Sequence, residues 1–164
     1  MVWCQLKISK DVLDSLKKLG IALAAKPEFP IPELPRDISE MDDEGLMDLF
    51  VQFTAWNDYL SGARAIAAIN EREAESSVSA FESQIFLNEW KGGSAERTTV
   101  VKHKVSSHPD VVDLKHDQDT KYAFRKMLET RAEDVERNSQ VVSRELTRRT
   151  SGGGFNARRR NFTP

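Results

Sequence analysis

The sequence predicts an all-α protein: two long antiparallel helices forming a coiled-coil-like hairpin, a short N-terminal helix, a proline-rich strap and a flexible basic C-terminal tail. Three observations predict it. Apolar residues recur every seven positions at Leu46, Phe53, Leu60, Ala67, Ala74 and Phe81, the spacing of a helix packed along another helix. The same interval returns at Leu128, Val135 and Val142. No proline falls between Leu46 and Trp90, so nothing there forces the first run to stop. The chain reads as four segments: an arm and short helix over 1–26, the strap over 27–37, the hairpin over 38–150 and a Gly/Arg-rich tail over 151–164.

The opening MVWCQLKI is short and apolar, with Trp3, Leu6 and Ile8 available for an extended arm or an anchor. SKDVLDSLKKLGIALAAK reads as a short helix with Val12, Leu13, Leu16, Leu19 and Leu23 on one stripe. Ser9 or Asp11 can cap it, because a short oxygen-bearing side chain accepts from first-turn amides, and Gly20 weakens its second half. PEFPIPELP then carries four of the six prolines. Each removes a donor and biases its predecessor away from helix, so Pro27–Pro35 is extended. Phe29, Ile31 and Leu34 favour a docked strap over a free tether, since a solvated linker rarely holds three large apolar residues.

DISEMDDEGLMDLF opens the first long helix, with Ser39 and Asp42 as candidate caps and Asp42, Asp43 and Glu44 where the helix dipole welcomes negative charge. Phe50, Trp56, Ala63, Val78 and Ile85 partly fill the companion positions, and the helix runs to about Trp90. Gly92 and Gly93 stop it, and Ser94 can cap the next segment. AERTTVVKHK reads as a short connecting helix, against the β-branched Thr98, Thr99, Val100 and Val101. Ser107 and Asp110 form a Ser-x-x-Asp cap, with Pro109 in the first turn. The second long helix then runs to about Thr150, its stripe being Val111, Leu114, Phe124, Leu128, Ala132, Val135, Val142 and Leu146. Two such helices leave the flanks of both stripes in water, so oligomerisation is expected, with Leu128, Val135, Val142 and Leu146 as its residues.

Charge is unevenly spread. Residues 1–90 carry eight Lys/Arg against sixteen Asp/Glu, a balance of −8, and residues 91–164 carry sixteen against ten, a balance of +6. Such asymmetry points to an anionic partner for the basic end or to head-to-tail contact between copies. The composition, 30% charged and 39% hydrophobic, is too apolar for a disordered chain. One cysteine, Cys4, excludes an intrachain disulfide and any CxxC knuckle. No apolar run approaches the roughly 18 residues of a spanning helix, which excludes the membrane as a partner.

Signals for chemistry are few. His103, His108 and His116 have neither the i, i+4 spacing nor the HExxH or CxxC context of a metal site, and read as solvated or capping residues. No GxGxxG, GxxxxGK[ST] or GxSxG occurs, and Gly152–Gly154 follow no strand. An enzyme is not expected, and neither a metal nor a cofactor is implied.

The basic residues remain. Arg137, Arg144 and Arg148 are spaced seven and then four, sharing one side of a helix, with Arg149 flanking them. Beyond the glycines, FNARRRNF places Phe155 and Phe162 around Arg158, Arg159 and Arg160. Arginines supply phosphate-directed forks and aromatics stack on unpaired bases, a pairing that favours single strands. Lys91, Arg97, Lys102 and Lys104 form a second basic patch around the loop. The alternative is a docking peptide, with the phenylalanines anchored on a neighbouring protein.

The LNEWKGG turn, the short segment after it, and VSSHPDVVDLKHDQDTKYAFRKMLETRAEDVERNSQVVSRELTRR resemble the UvsY-like recombination mediators of tailed phages over roughly residues 46–149. The resemblance rests on the start of the last helix (Val105, Ser106, Asp110, Val111) and on its length. It implies a helical protein that assembles into a ring through its last helix, binds single-stranded DNA, and helps a RecA-like recombinase displace single-strand-binding protein in the host cytoplasm. Family members carry basic residues before the glycine turn. Here ESQIFLNEWK offers only Lys91, which shifts the expected contacts to Arg97, Lys102, Lys104 or the arginine tail. The rival expectation is a non-enzymatic virion or assembly protein, such as a scaffold, a neck component or a small-terminase-like ring, whose Arg/Phe tail docks on a protein.

Overall fold

The computed structural model describes residues 8–90 and 98–160, the last nine by backbone alone. The described residues form α1 (Lys10–Lys18), a 3₁₀ turn (Ile38–Glu40), α2 (Asp43–Glu89), α3 (Thr98–Ser106) and α4 (Pro109–Arg160), with no strand among them. Ion pairs link Glu82 to Lys115, Glu71 to Arg125 and Asp43 to Arg149. As the number on α2 falls, that on α4 rises, so the two long helices pack antiparallel: the expected all-α hairpin. The chain divides into two compact units, Met1–Ile21 with Ala63–Leu128 and Ala22–Gly62 with Glu129–Pro164.

In the second unit the core is Leu46, Leu49, Phe53, Trp56 and Leu60 from α2 against Ala132, Val135 and Val142 from α4. The alternating steps of three and four residues keep one stripe of α2 facing its partner. Of the two expected caps, Asp42 is the one used: its carboxylate accepts from the Gly45 amide at 2.9 Å. Asp37 instead nucleates the 3₁₀ turn, accepting from the Ser39 amide at 3.1 Å and its hydroxyl at 2.5 Å. The strap has no helix or strand, and its residues 27–31, with Lys26 before them, line one cleft with Trp56. Ile31 and Leu34 are half-buried, whereas Phe29 remains exposed.

In the first unit Ala63, Ala67, Ala74 and Val78 of α2 meet Val101 and Val105 of α3 and Val111 of α4 in the core. Val101 and Val105 are one turn apart, so burial of a single face holds α3 helical despite its β-branched residues. The stripe of α2 changes register here. Steps of three and four carry it from Leu46 to Ala67, then two steps of four in a row lead from Ala63 to Ala67 and on to Glu71. At that slip Glu71 pairs with Arg125 of α4, both about one-fifth exposed.

Four expectations need correction. α1 stops at Lys18 because Gly20 takes φ 73°, a left-handed conformation open to glycine, and closes the helix with bonds from its own amide to the Lys17 carbonyl and from Ile21 to Leu16. Ser9 occupies the cap position of α1 without a side-chain bond. Ser107 does not cap α4; its hydroxyl donates back to the carbonyls of His103 and Lys104, and His108 Nδ1 accepts from the Asp110 amide at 3.3 Å. Finally, α4 does not break at Gly152–Gly154 but continues to Arg160. Glycine costs a helix about 1 kcal/mol per residue relative to alanine rather than forbidding it, and extending a formed helix avoids the cost of a new nucleus. Trp3, Leu6, Cys4, Gly92, Gly93 and Ser94 lie outside the described residues.

Candidate polyanion-binding surface

The basic residues predicted from sequence fall in both units. In the first, Lys102 and Lys104 are exposed on α3, two residues apart and so on different sides of it. Lys102 borders a cleft of about 590 Å³ with Phe86, Leu87 and Val105. Lys104 reaches Glu89 at 3.6 Å, and Glu82, on the wall of the same cleft, holds Lys115 at 2.7 Å. Among the described residues, two glutamates thus offset two of the three lysines here. Phe86 and Trp90 stack there, ring centres 5.8 Å apart and 13° from parallel. Lys91 and Arg97 lie outside the described residues.

In the second unit the arginines of α4 divide by their partners. Arg149 is one-fifth exposed and acts as a latch. Its guanidinium donates to the carbonyls of Met41 at 2.7 Å, Ser39 at 2.9 Å and Ile38 at 3.4 Å, to the Asp43 carboxylate at 2.8 Å and to Glu145 at 2.8 Å. Three of these acceptors are main-chain oxygens of the segment leading into α2, whose turn leaves their lone pairs pointing outward. The fork read from sequence as a phosphate contact is thus occupied by the protein itself. Hydrogen bonds to Asp43 and then Glu145 raise the Arg149 pKa.

Arg148 is two-thirds exposed and grips Glu145 with both arms of its fork, at 2.7 and 2.6 Å. Hydrogen bonds from Arg148 and then Arg149 hold the Glu145 carboxyl at about 2 against an ordinary 4.5. The hydrogen bond with Glu145 likewise raises the Arg148 pKa. Arg137 is exposed and paired with Asp134 one turn earlier. Arg144 is exposed, borders a shallow cleft with Phe50 and Ser139, and has no acidic partner within ion-pair distance among the described residues.

Because α4 is continuous, positions 137, 144 and 158 share one register, separated by whole heptads over about 32 Å of helix. For Phe155, Arg158, Arg159 and Arg160 the backbone alone is described, and Phe162 lies outside. The residues expected to join copies differ in how far the chain itself covers them. Val135 and Val142 are 1% and 0% exposed within a single chain, and Leu128 and Leu146 are half-buried. Val135 and Val142 are thus covered within one chain, while Leu128 and Leu146 keep part of their surface exposed.

Sequence reasoning passed over two features. Glu145 stands three and four residues before Arg148 and Arg149, a spacing that signals the pairing. The Arg149 carbonyl acceptors carry no side-chain signal at all. Among the described residues no three His, Cys, Asp or Glu side chains gather to hold a metal ion, and no helix is long and apolar enough to cross a membrane. No family model, curated protein or solved structure matches the chain.

Proposed function

We propose that this chain is a multimeric single-stranded-DNA-binding protein of a phage, acting as a mediator that helps load a RecA-like recombinase. The observation that carries the DNA contact is Arg144. It is exposed and without an acidic partner among the described residues, and it stands one heptad from Arg137 and two from position 158 on a helix that runs unbroken to Arg160. Arg148 and Arg137 are exposed cations held only by short-range pairs on their own helix, and such pairs exchange readily for phosphate because exposed ion pairs contribute little. Phe155 and Phe162 supply rings for bases free of a duplex. Association of several copies multiplies individually weak phosphate contacts. The recombinase step rests on the resemblance to the UvsY-like mediators.

The test is affinity for a labelled oligothymidylate across a salt series. Each neutralised phosphate contributes about −0.7 to the slope of log affinity against log salt for a single strand. Arg144→Ala with Arg148→Ala flattens the slope by about 1.4 on the same scale, and removal of residues 152–164 flattens it further. Salt-independent binding, or equal affinity for a matched duplex, sinks the proposal. A second reading, in which the Arg/Phe end docks on protein in a virion or assembly intermediate, draws on one feature of the first unit. Asp110, Asp113 and Asp117 share a cleft with Phe81 and Leu114, the chemistry that suits an arginine- and phenylalanine-bearing segment. In that case Asp113→Lys changes assembly and leaves oligothymidylate binding untouched.

A further inference from the structure

Trp56 lies at the heart of the second unit and is 6% exposed. Its indole N–H is the one buried side-chain polar atom that finds no hydrogen-bond acceptor among the described residues. Buried tryptophans ordinarily satisfy that donor, and an orphaned one calls for an explanation. The ring borders a cleft of about 620 Å³, within the range of ligand-sized sites, whose other wall is Lys26 and strap residues 27–31. The lining is dominated by Pro27, Phe29, Pro30, Ile31 and the indole. No backbone hydrogen bond anchors residues 22–36 among the described residues, so the strap is held there by side-chain packing alone.

We infer that the Trp56 cleft is a recognition site for an extended, proline-bearing peptide segment, whose backbone carbonyl takes the indole N–H and which the chain's own strap partly mimics. Two features name the occupant. The orphan donor demands an acceptor, and the strap seated beside it shows what the surface accommodates: a proline-spaced, donor-poor backbone packed on an aromatic ring. Such segments lose little conformational freedom on docking because proline fixes their backbone in advance, and aromatic-lined grooves are their usual receptors. The strap walls the apolar side of the site and leaves the donor unused. A competing segment that lifts the strap satisfies both. The site owes nothing to the arginines of α4, so the inference stands apart from the DNA reading.

The test uses the ¹⁵N-labelled full chain, whose three tryptophans give three indole resonances; Trp56→Phe assigns one, and Trp3→Phe and Trp90→Phe assign the others should that variant fail to fold. The probe is the free strap peptide, residues 27–35 with blocked ends, titrated beside a counterpart carrying alanine for every proline. The Trp56 resonance is expected to move downfield as the indole N–H gains an acceptor, with the alanine peptide binding about tenfold more weakly because its backbone must be ordered on docking. Pro27→Gly with Pro30→Gly in the protein loosens the internal strap and strengthens peptide binding. A Trp56 resonance unmoved at millimolar peptide overturns the inference. So does one already at the downfield position of a hydrogen-bonded indole before peptide is added, which identifies a bound water as the acceptor, or equal response to both peptides.

Discussion

Replacing Gly62 with alanine is expected to stabilise the protein by about 0.5–1 kcal/mol, because glycine inside a helix loses more backbone freedom on folding than alanine does. The gain is realised only if the new methyl has room. A Cβ built at Gly62 meets the Leu23 Cδ2 at 3.7 Å, an ordinary van der Waals contact that extends the packing of the segment before the strap onto α2. The same substitution at two other glycines reverses the outcome for separate reasons. At Gly45 the added carbon comes within 2.7 Å of Asp42 Oδ1, the oxygen that caps α2. The carboxylate must swing away, and loss of a cap costs about 1 kcal/mol, which cancels the helical gain. At Gly20 the space is open, but φ is 73° and an L side chain there is strained by about 1–2 kcal/mol. Since α1 buries no residue, that strain shows as faster amide exchange within Lys10–Lys18 rather than in the global transition. Urea denaturation followed by far-UV circular dichroism measures the first two variants. Gly62→Ala raises the midpoint, by an amount equivalent to about 1–4 °C in melting temperature for a chain of this size, and Gly45→Ala leaves it level or lower. A Gly62→Ala midpoint below that of the parent, or one sign for all three variants, refutes the described backbone.

Contacts along the hairpin set three further outcomes. Glu71→Ala lowers stability by about 2 kcal/mol, because it takes a charged partner from the half-enclosed Arg125, while Glu71→Leu with Arg125→Leu together recovers most of the loss in the same urea titration. Glu145 holds its carboxyl at about 2 in the folded chain against 4.5 otherwise. The unfolded chain therefore takes up the proton first, so the stabilisation is complete above 4.5 and drains away as pH falls from there toward 2. Glu145→Gln flattens the acid limb of the stability curve across that window, which thermal melts at stepped pH record. Val142→Ala costs about 2 kcal/mol through lost burial and the cavity left behind. Because the contact lies within one chain, its effect on melting temperature is the same at every protein concentration, and a shift that grows on dilution returns Val142 to an interface between copies.

The hairpin could be read from sequence because heptad spacing is itself a statement about packing: Leu46, Phe53, Leu60, Ala67 and Ala74 are all buried where the period put them. Helix starts were readable where a side chain makes the cap, as Asp42 does, and misread where two candidates compete, as Ser107 and His108 do. The slip at Glu71 is written only in the companion positions, where Val78 follows Ala63 by fifteen residues rather than fourteen, while the main stripe from Leu46 to Phe81 keeps its seven-residue spacing. What the grid does not say is which helix covers the stripe. By spacing alone, Val135 and Val142 satisfy an intrachain partner and an interchain partner equally well, and it is their burial within one chain that shows the first.

The arginine cluster shows the same limit and what overcomes it. Seven arginines with a single acid look from sequence like one uniform basic surface. Folding sorts them by what else is within reach. Arg149 faces the carbonyls of residues 38–41, acceptors supplied by the backbone and therefore carried by no residue type, and it becomes a fixed latch between the end of α4 and the entry to α2. Glu145 is drawn between Arg148 and Arg149, which takes the one acid within the arginine run out of competition for the rest. Arg144, lying a turn earlier, then keeps its charge undiminished by any acid among the described residues. A phosphate approaching this end meets a guanidinium held on a helix whose rotation the latch has already set. Removing the latch therefore tests more than stability: Arg149→Gln, which keeps an amide donor for the carbonyls but drops the charge, is expected to leave phosphate affinity nearly intact if Arg149 acts by positioning. It lowers the salt slope by a full single-strand increment, about 0.7, if Arg149 touches phosphate itself.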